Sequence, residues 1–174
     1  MRVIGGEFRS RRLKSIPGAA TRPTSDRLRE TLFDILAPRI EGATFLDAYA
    51  GTGAVGIEAL SRGADHAFFL ERNRAALEAI RENLGSLELE RRSTVVAGPV
   101  LLTLERYRAA IVFLDPPYES EREYGEALGI LGEHPPELAI VQHSIRLALS
   151  EAYGALRRTR TVRQGDNALS FFAP

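Results

Sequence analysis

Two hydrophobic periods alternate along the chain. Short apolar runs recur at "ATFLDA", "HAFFLE", "STVVAG", "AAIVFLD" and "ELAIVQHS", each of a length suited to a buried strand. Between them the apolar positions fall at helical spacing. This predicts helices over "AVGIEALSRG", closed by Gly63, over "RAALEAIRENLGSL", over a short stretch ending at Tyr107, and over "EREYGEALGILGE". Strands alternating with helices predict an α/β fold: a doubly wound, mostly parallel, Rossmann-like sheet covered on both faces. The end of the chain, "LRRTRTVRQGDNALSFFAP", reads as two strands about Gly165-Asp166-Asn167, a C-terminal antiparallel hairpin. Upstream, "RVIGGEFRSRRLKSI" alternates around Gly5-Gly6 and predicts an N-terminal β-hairpin arm. After the loop "PGAATRP", Thr24 or Ser25 can cap a helix from about Asp26 to Ala37, with Leu28, Leu32, Ile35 and Leu36 as its apolar stripe.

At 174 residues the chain fits one compact unit. Within it, residues 1–22 form a basic arm and residues 23–174 carry the sheet. The formal charge is zero, but Arg2, Arg9, Arg11, Arg12, Lys14 and Arg22 face only Glu7 in the arm, leaving the remainder acidic. A basic arm on an acidic body points to a polyanionic partner. No cysteine is present, which excludes disulfides, thiolate zinc sites and cysteine nucleophiles. No apolar run approaches a membrane span, and "MRVIGGEFRSRR" lacks the apolar core of a signal peptide. A cytoplasmic protein that does not contact membranes is expected.

In an open sheet of this kind, ligands bind beyond the carboxyl ends of the strands. The first strand runs into "LDAYAGTGAVG". Gly51 and Gly53 allow a tight turn and close backbone approach, and the following helix points its free amides at a ligand. Asp47, just before the loop, suits an ammonium group or an ordered water. Glu71 ends the second strand, about 20 residues past the glycines, where this fold places a ribose-binding acid. Glycines 51, 53 and 56 also satisfy G-x-G-x-x-G. Asp47 would repel a pyrophosphate, however, and the chain has no room for a second substrate domain. S-adenosylmethionine therefore fits better than a nicotinamide dinucleotide.

The fourth strand ends in "FLDPPYES". Asp115 supplies a carboxylate and the backbone supplies a carbonyl, two acceptors matched to one –NH2 group. Pro116 has no competing amide hydrogen, and the proline pair stiffens the chain. Tyr118 offers a flat face for a nucleobase. Held this way, an exocyclic base amine would turn its lone pair outward, toward an already activated methyl group, with no metal required. Catalysis would be mainly alignment, with the base taken out of its stack.

On "LDAYAGTGAVGIEALSRGA", "IVFLDPPY", "GGEFRSRRL", "TRPTSDRLRETLFDIL" and "GDNALSFF", the chain resembles the bacterial 16S ribosomal RNA guanine-N(2) methyltransferases over almost its whole length. The resemblance implies methylation of one guanine amine in 16S rRNA, within the small ribosomal subunit or an assembly intermediate, by a monomer using S-adenosylmethionine. It carries Asp115, Pro116 and Tyr118 over as the amine-binding motif, and Asp47, Gly51, Gly53 and Glu71 as cofactor contacts. Tyr49 and Arg72, in the same strand-end segments, and Thr24 are grouped with those contacts. Arg22 and Arg27 belong to the segment near the target base, and Arg9, Arg11 and Arg12 to the RNA-binding arm. Two positions depart from the family pattern. Gly98 and Pro99 stand where an adenine-contacting acid or amide is expected, so backbone and apolar contacts would have to hold the adenine. Gln142 replaces a frequent glutamate and is assigned no role. His143 reads as structural, because this chemistry needs no strong base before transfer. Two other readings are a DNA adenine-amine methyltransferase, which lacks a visible DNA-recognition domain here, and a non-catalytic RNA-binding module on the same fold.

Overall fold

The five apolar runs form β1 (Thr44–Ala48), β2 (His66–Glu71), β3 (Ser93–Ala97), β4 (Ile111–Leu114) and β5 (Leu138–Ser144) in a computed structural model that describes residues 1–16, 25–117 and 119–174. Arg22, Thr24 and Tyr118 lie outside the described residues. Three C-terminal strands follow: β6 (Ala152–Tyr153), β7 (Leu156–Gln164) and β8 (Asn167–Ala173). All eight join one sheet in the order β3-β2-β1-β4-β5-β8-β7-β6. The first five are mutually parallel, β8 adds antiparallel to β5, and β7 adds antiparallel to β8. The two-residue β6 is the one strand that the sequence pattern does not predict.

The helices are α1 (Asp26–Leu36), α2 (Ala54–Ser61), α3 (Arg74–Ser86), α4 (Val100–Thr103) and α5 (Glu121–Glu133). Ser25 starts α1 by accepting from the Leu28 amide at 3.2 Å, and Asn73 starts α3 by accepting from Ala76 at 3.1 Å, each satisfying a first-turn donor. The short helix expected before Tyr107 is one α-turn, α4, continued as a 3₁₀ turn over Leu104–Arg106.

Strand residues alternate between the two faces of the sheet. Leu46, Val112, Leu114 and Val141 pack with Tyr124, Leu128 and Leu131 of α5. Phe45, Phe113 and Ile140 pack with Leu28, Leu32 and Phe33 of α1, while Phe69 meets Ile57 of α2 and Ile80 of α3.

The N-terminal segment differs in part from its expectation. The two segments do pair antiparallel as a hairpin, Val3 donating to the Arg11 carbonyl at 2.9 Å and Leu13 to the Met1 carbonyl at 3.0 Å, but the regular pairing is one bridge long, Arg2 to Arg12, with Val3 and Leu13 buried in the α2–α3 core. The chain reverses over Gly5 to Ser10 rather than tightly at the glycine pair. Gly6 has φ +79°, and a Cβ on it would lie 1.9 Å from the Ser61 carbonyl oxygen. The glycines therefore let the arm lie flat against the end of α2, which is why the alternating pattern stops there. Burying Val3 and Leu13 contributes about 1.5–3 kcal/mol each to that docking.

Candidate active site

Parallel pairing of β1 with β2 and β4 brings three strand ends to one rim, with Ala48 opposite both Leu70 and Leu114. Beyond that rim lies a cavity of about 510 Å³, within the range of small-molecule sites. Asp47, Tyr49, Gly51, Glu71, Arg72 and Asp115 all line it. Of the cofactor residues expected from sequence, Gly53 alone among the described ones does not. With φ +79° it begins α2, and its Cα faces Phe69 and Ile80. Gly51 at φ +57° is different: a Cβ there would meet nothing within 4 Å, so its bare backbone faces open cavity, as a close-approach position requires.

Asp47 is buried, and its Oδ2 accepts from the Gly56 amide at 2.8 Å. No side chain within the loop caps α2, so this aspartate from β1 does the capping. Burial holds its pKa well above the usual carboxylate range. The charges of Asp115 and Glu71 push it the same way, and the Gly56 hydrogen bond opposes them. Glu71 is fixed by three backbone donors at 2.8 Å each: Gly51 to Oε2, and Arg72 and Asn73 to Oε1. The carboxylate is thereby aimed before any ligand arrives.

Tyr49 has a left-handed backbone, φ 64°, rare for an aromatic residue and a mark of local strain. Its hydroxyl is buried, facing Glu123 of α5. Burial, then the charge of Glu123 on α5, push its pKa up.

At the end of β4 the Asp115 amide lies 3.4 Å from the Ala48 carbonyl, continuing the ladder with β1. Pro117 lines the cavity; Pro116 is buried and does not. The Pro116 carbonyl accepts from the Tyr124 hydroxyl at 3.0 Å. Tyr124 is only 1% exposed, so α5 pins the motif from below. Sequence reasoning missed Tyr124, because its ring fits the apolar stripe of α5 and gives no sign of what its hydroxyl reaches. After β3, Gly98 has φ +146°, and Val100 of α4 lines the cavity.

Met1, Ser15 and Ile16 also line the cavity, so the arm passes along its mouth. Arg9, Arg11 and Arg12 are exposed on it, and Arg11 donates to the Ser86 carbonyl at 3.1 Å. Arg27 is exposed on the first turn of α1. Gln142 is buried in β5 opposite Leu169. His143 is buried and approaches the Ser144 carbonyl through Nδ1 and the Ser170 hydroxyl through Nε2, each at 2.8 Å. With both ring nitrogens so occupied it is a structural residue.

A solved structure of yhhF, a candidate methyltransferase from Escherichia coli, superimposes with TM-score 0.85 at 33% identity, covering 99% of this chain and 97% of that one. A methylase from Haemophilus influenzae, HI0767, superimposes with TM-score 0.81 at 27% identity. By its fold and by the cavity at the β1–β2–β4 rim, the molecule is a class I methyltransferase. Residues 1–173 match the family described as Conserved hypothetical protein 95, and the chain belongs to that family. Among its relatives, YlbH of Bacillus subtilis, a candidate rRNA methyltransferase, is 33% identical across 99% of this chain and 98% of its own length. The ribosomal RNA small subunit methyltransferase D of Escherichia coli is 41% identical over 68% of this chain and 60% of its own length.

Proposed function

We propose that this chain transfers a methyl group from S-adenosylmethionine to the exocyclic amine of a guanine in 16S rRNA, presented in the small ribosomal subunit or an assembly intermediate. The observation that carries this reading is the cavity itself, where Asp47, Glu71 and Asp115 converge about a glycine turn. Three carboxylates around one cavity repel each other and are relieved by a cationic ligand. They are not arranged as a metal-binding group among the described residues. The relatives named above extend the reading to ribosomal RNA rather than DNA.

S-adenosylmethionine would supply a methyl group already activated on a sulfonium. Glu71, aimed by its three amide donors, would accept from ribose hydroxyls. Asp47 would face the ammonium group, and Val100 with the backbone at Gly98 would provide an apolar seat for the adenine. Asp115 and the Pro116 carbonyl would accept the two amine hydrogens of a flipped guanine, turning its nitrogen lone pair toward the methyl group. Tyr118 would stack on that base, and Arg22, Thr24 and Arg27 would flank it. Arg9, Arg11 and Arg12 would hold RNA phosphates from the arm. A substrate of this kind places the protein in the cytoplasm. No helix among the described residues is long and apolar enough to cross a membrane.

The test is to incubate the protein and a labelled methyl donor with small subunits from a strain lacking the modification, then locate the label by mass spectrometry. Transfer to a single guanine is expected, and no transfer would reject the reading. Asp115→Ala should lower turnover by at least about a hundredfold, as when one aimed active-site group is lost, with cofactor affinity by calorimetry changed less than about twofold.

A further inference from the structure

A second cavity, about 750 Å³, lies along the same rim beyond β5. Its existence follows from what is missing above the sheet. On the α5 face, residues 145–155 form no helix; Leu147 and Leu149 of this segment pack over β5 and β8 in place of one, and a hollow remains between the segment and β7. Register pairing places His143, Ala168 and Arg163 in one row and Val141, Ser170 and Thr161 in the next. Arg146, Arg158 and Arg163 line the hollow. Glu151 is the one carboxylate among its lining residues, and it pairs with Arg158. Arg146 and Arg163 are exposed and form no ion pair among the described residues. Residues 152–165 contain no acid, whereas the chain beyond residue 22 carries net negative charge. The local charge therefore runs against the charge of the body that holds it.

We propose that this groove binds the sugar-phosphate backbone of the RNA strand flanking the nucleotide presented to Asp115. The proposal rests on the reading above that the substrate is RNA. Its position supports it. Leu114 pairs with Val141, so Asp115 stands level with Gln142 and one strand away from His143, where the groove begins. Arg163 lies three strand spacings from Asp115, about 14 Å, so a strand leaving the catalytic cavity across the rim of β5 would enter the groove. The floor is fixed: Thr161, Ser170 and His143 are hydrogen bonded in a chain, at 3.1 Å and 2.8 Å. Ile145, 42% exposed at the edge, offers apolar contact to a sugar or base. The N-terminal arm packs on α2 and α3, over the β1–β2–β3 half of the sheet, and so does not cover this groove.

The experiment measures binding of small subunits lacking the modification, and of a 16S rRNA fragment, across a salt series. It compares wild type, Arg146→Gln/Arg163→Gln and Arg146→Lys/Arg163→Lys. The glutamine pair should bind roughly tenfold more weakly, and its slope of log affinity against log salt should be shallower by about 1.4–1.8. The lysine pair should keep the wild-type slope, and all three proteins should melt alike and bind S-adenosylmethionine equally. An unchanged slope in the glutamine pair overturns the proposal, and so does weaker binding at an unchanged slope. If the groove controls the slope but wild type methylates no small subunit, the groove stands and the methylation reading falls. If wild type methylates and the slope is indifferent to the groove, the reverse holds.

Discussion

Asp47 is a carboxylate held in conflict. It must accept from Gly56 to start α2, yet it is buried beside two other acids, and its pKa is raised by desolvation first and by Asp115 and Glu71 after it. An acid whose folded pKa is raised contributes stability that is complete below the unfolded pKa and is lost as pH rises through the folded value. Asp47 therefore penalises the ligand-free protein at neutral pH. A cation bound beside it lowers the pKa again, so the complex holds fewer protons than the free protein. Binding of S-adenosylmethionine should release protons and tighten as pH rises toward the free-protein pKa of Asp47. Calorimetry in buffers of different ionisation enthalpy measures the release directly, and a buffer-independent heat would show that Asp47 is not coupled to the ligand. The acid was legible in the sequence from its place before the glycine loop. Its capping bond was not, because an acceptor nine residues before its donor follows no local capping pattern. Tyr124 was hidden in the same way, its hydroxyl bond to Pro116 being set by the packing of α5 under β4.

At the scale of elements, α2 shows why periodicity alone is incomplete. All eight of its residues are buried, because the sheet covers one side and the N-terminal segment covers the other. Glu58, a surface residue by sequence pattern, is 0% exposed. Its Oε2 accepts from the Ile4 amide and its Oε1 from the Gly5 amide, at 2.8 Å each, and Arg62 donates to Oε1 at 2.8 Å. Arg29 of α1, also fully buried, approaches Oε2 at 3.8 Å and donates to the Arg2 carbonyl at 2.6 Å. One carboxylate thus joins the arm, α1 and α2. Arg62 stands at the i,i+4 spacing of an ordinary helix pair, but residues 4, 5 and 29 are remote in sequence, so no local pattern could reveal that the pair is buried. Removing the acid leaves two amides without their acceptor and the buried Arg29 guanidinium with the half-exposed Asp26 as its remaining carboxylate partner. Glu58→Ala should lose about 3–5 kcal/mol, a fall in melting temperature of roughly 6–20 °C for a chain of this size. It should also expose the arm to trypsin at Arg9, Arg11 and Arg12 in conditions where wild type resists. A variant that melts normally and keeps its arm protected would show that Val3 and Leu13 suffice to dock it.

For the molecule as a whole, the parallel core was readable because both faces of its central strands β1, β4 and β5 are buried, which makes each of these a near-continuous apolar run between helices. The antiparallel end was half readable. Gly165-Asp166-Asn167 marked the β7–β8 turn, but β6 is too short to carry a pattern, and an uncovered sheet face leaves no trace in a strand such as β7, where arginine and threonine alternate as on any solvated surface. Charge distribution was legible in sign but not in placement. The arm proves to be seated on the body by buried side chains and the Glu58 carboxylate, with Glu7 and Phe8 bonded to Ser61 and Arg11 to Ser86, so its arginines are held near the C-terminal ends of α2 and α3 instead of sweeping through solvent. Fixed charges give up little conformational freedom on meeting a phosphate, whereas Arg11 must also leave or share the Ser86 carbonyl it already contacts. Arg9→Gln/Arg12→Gln should therefore weaken binding to small subunits and flatten the salt slope by about 1.4–1.8, with Arg11→Gln adding less than either of the others. Cofactor affinity should hold, because Met1, Ser15 and Ile16, not these arginines, border the cavity. Filter binding across a salt series on the single, double and triple variants separates the three contributions. Equal loss from Arg11 and from its neighbours would mean that the Ser86 contact does not compete with RNA.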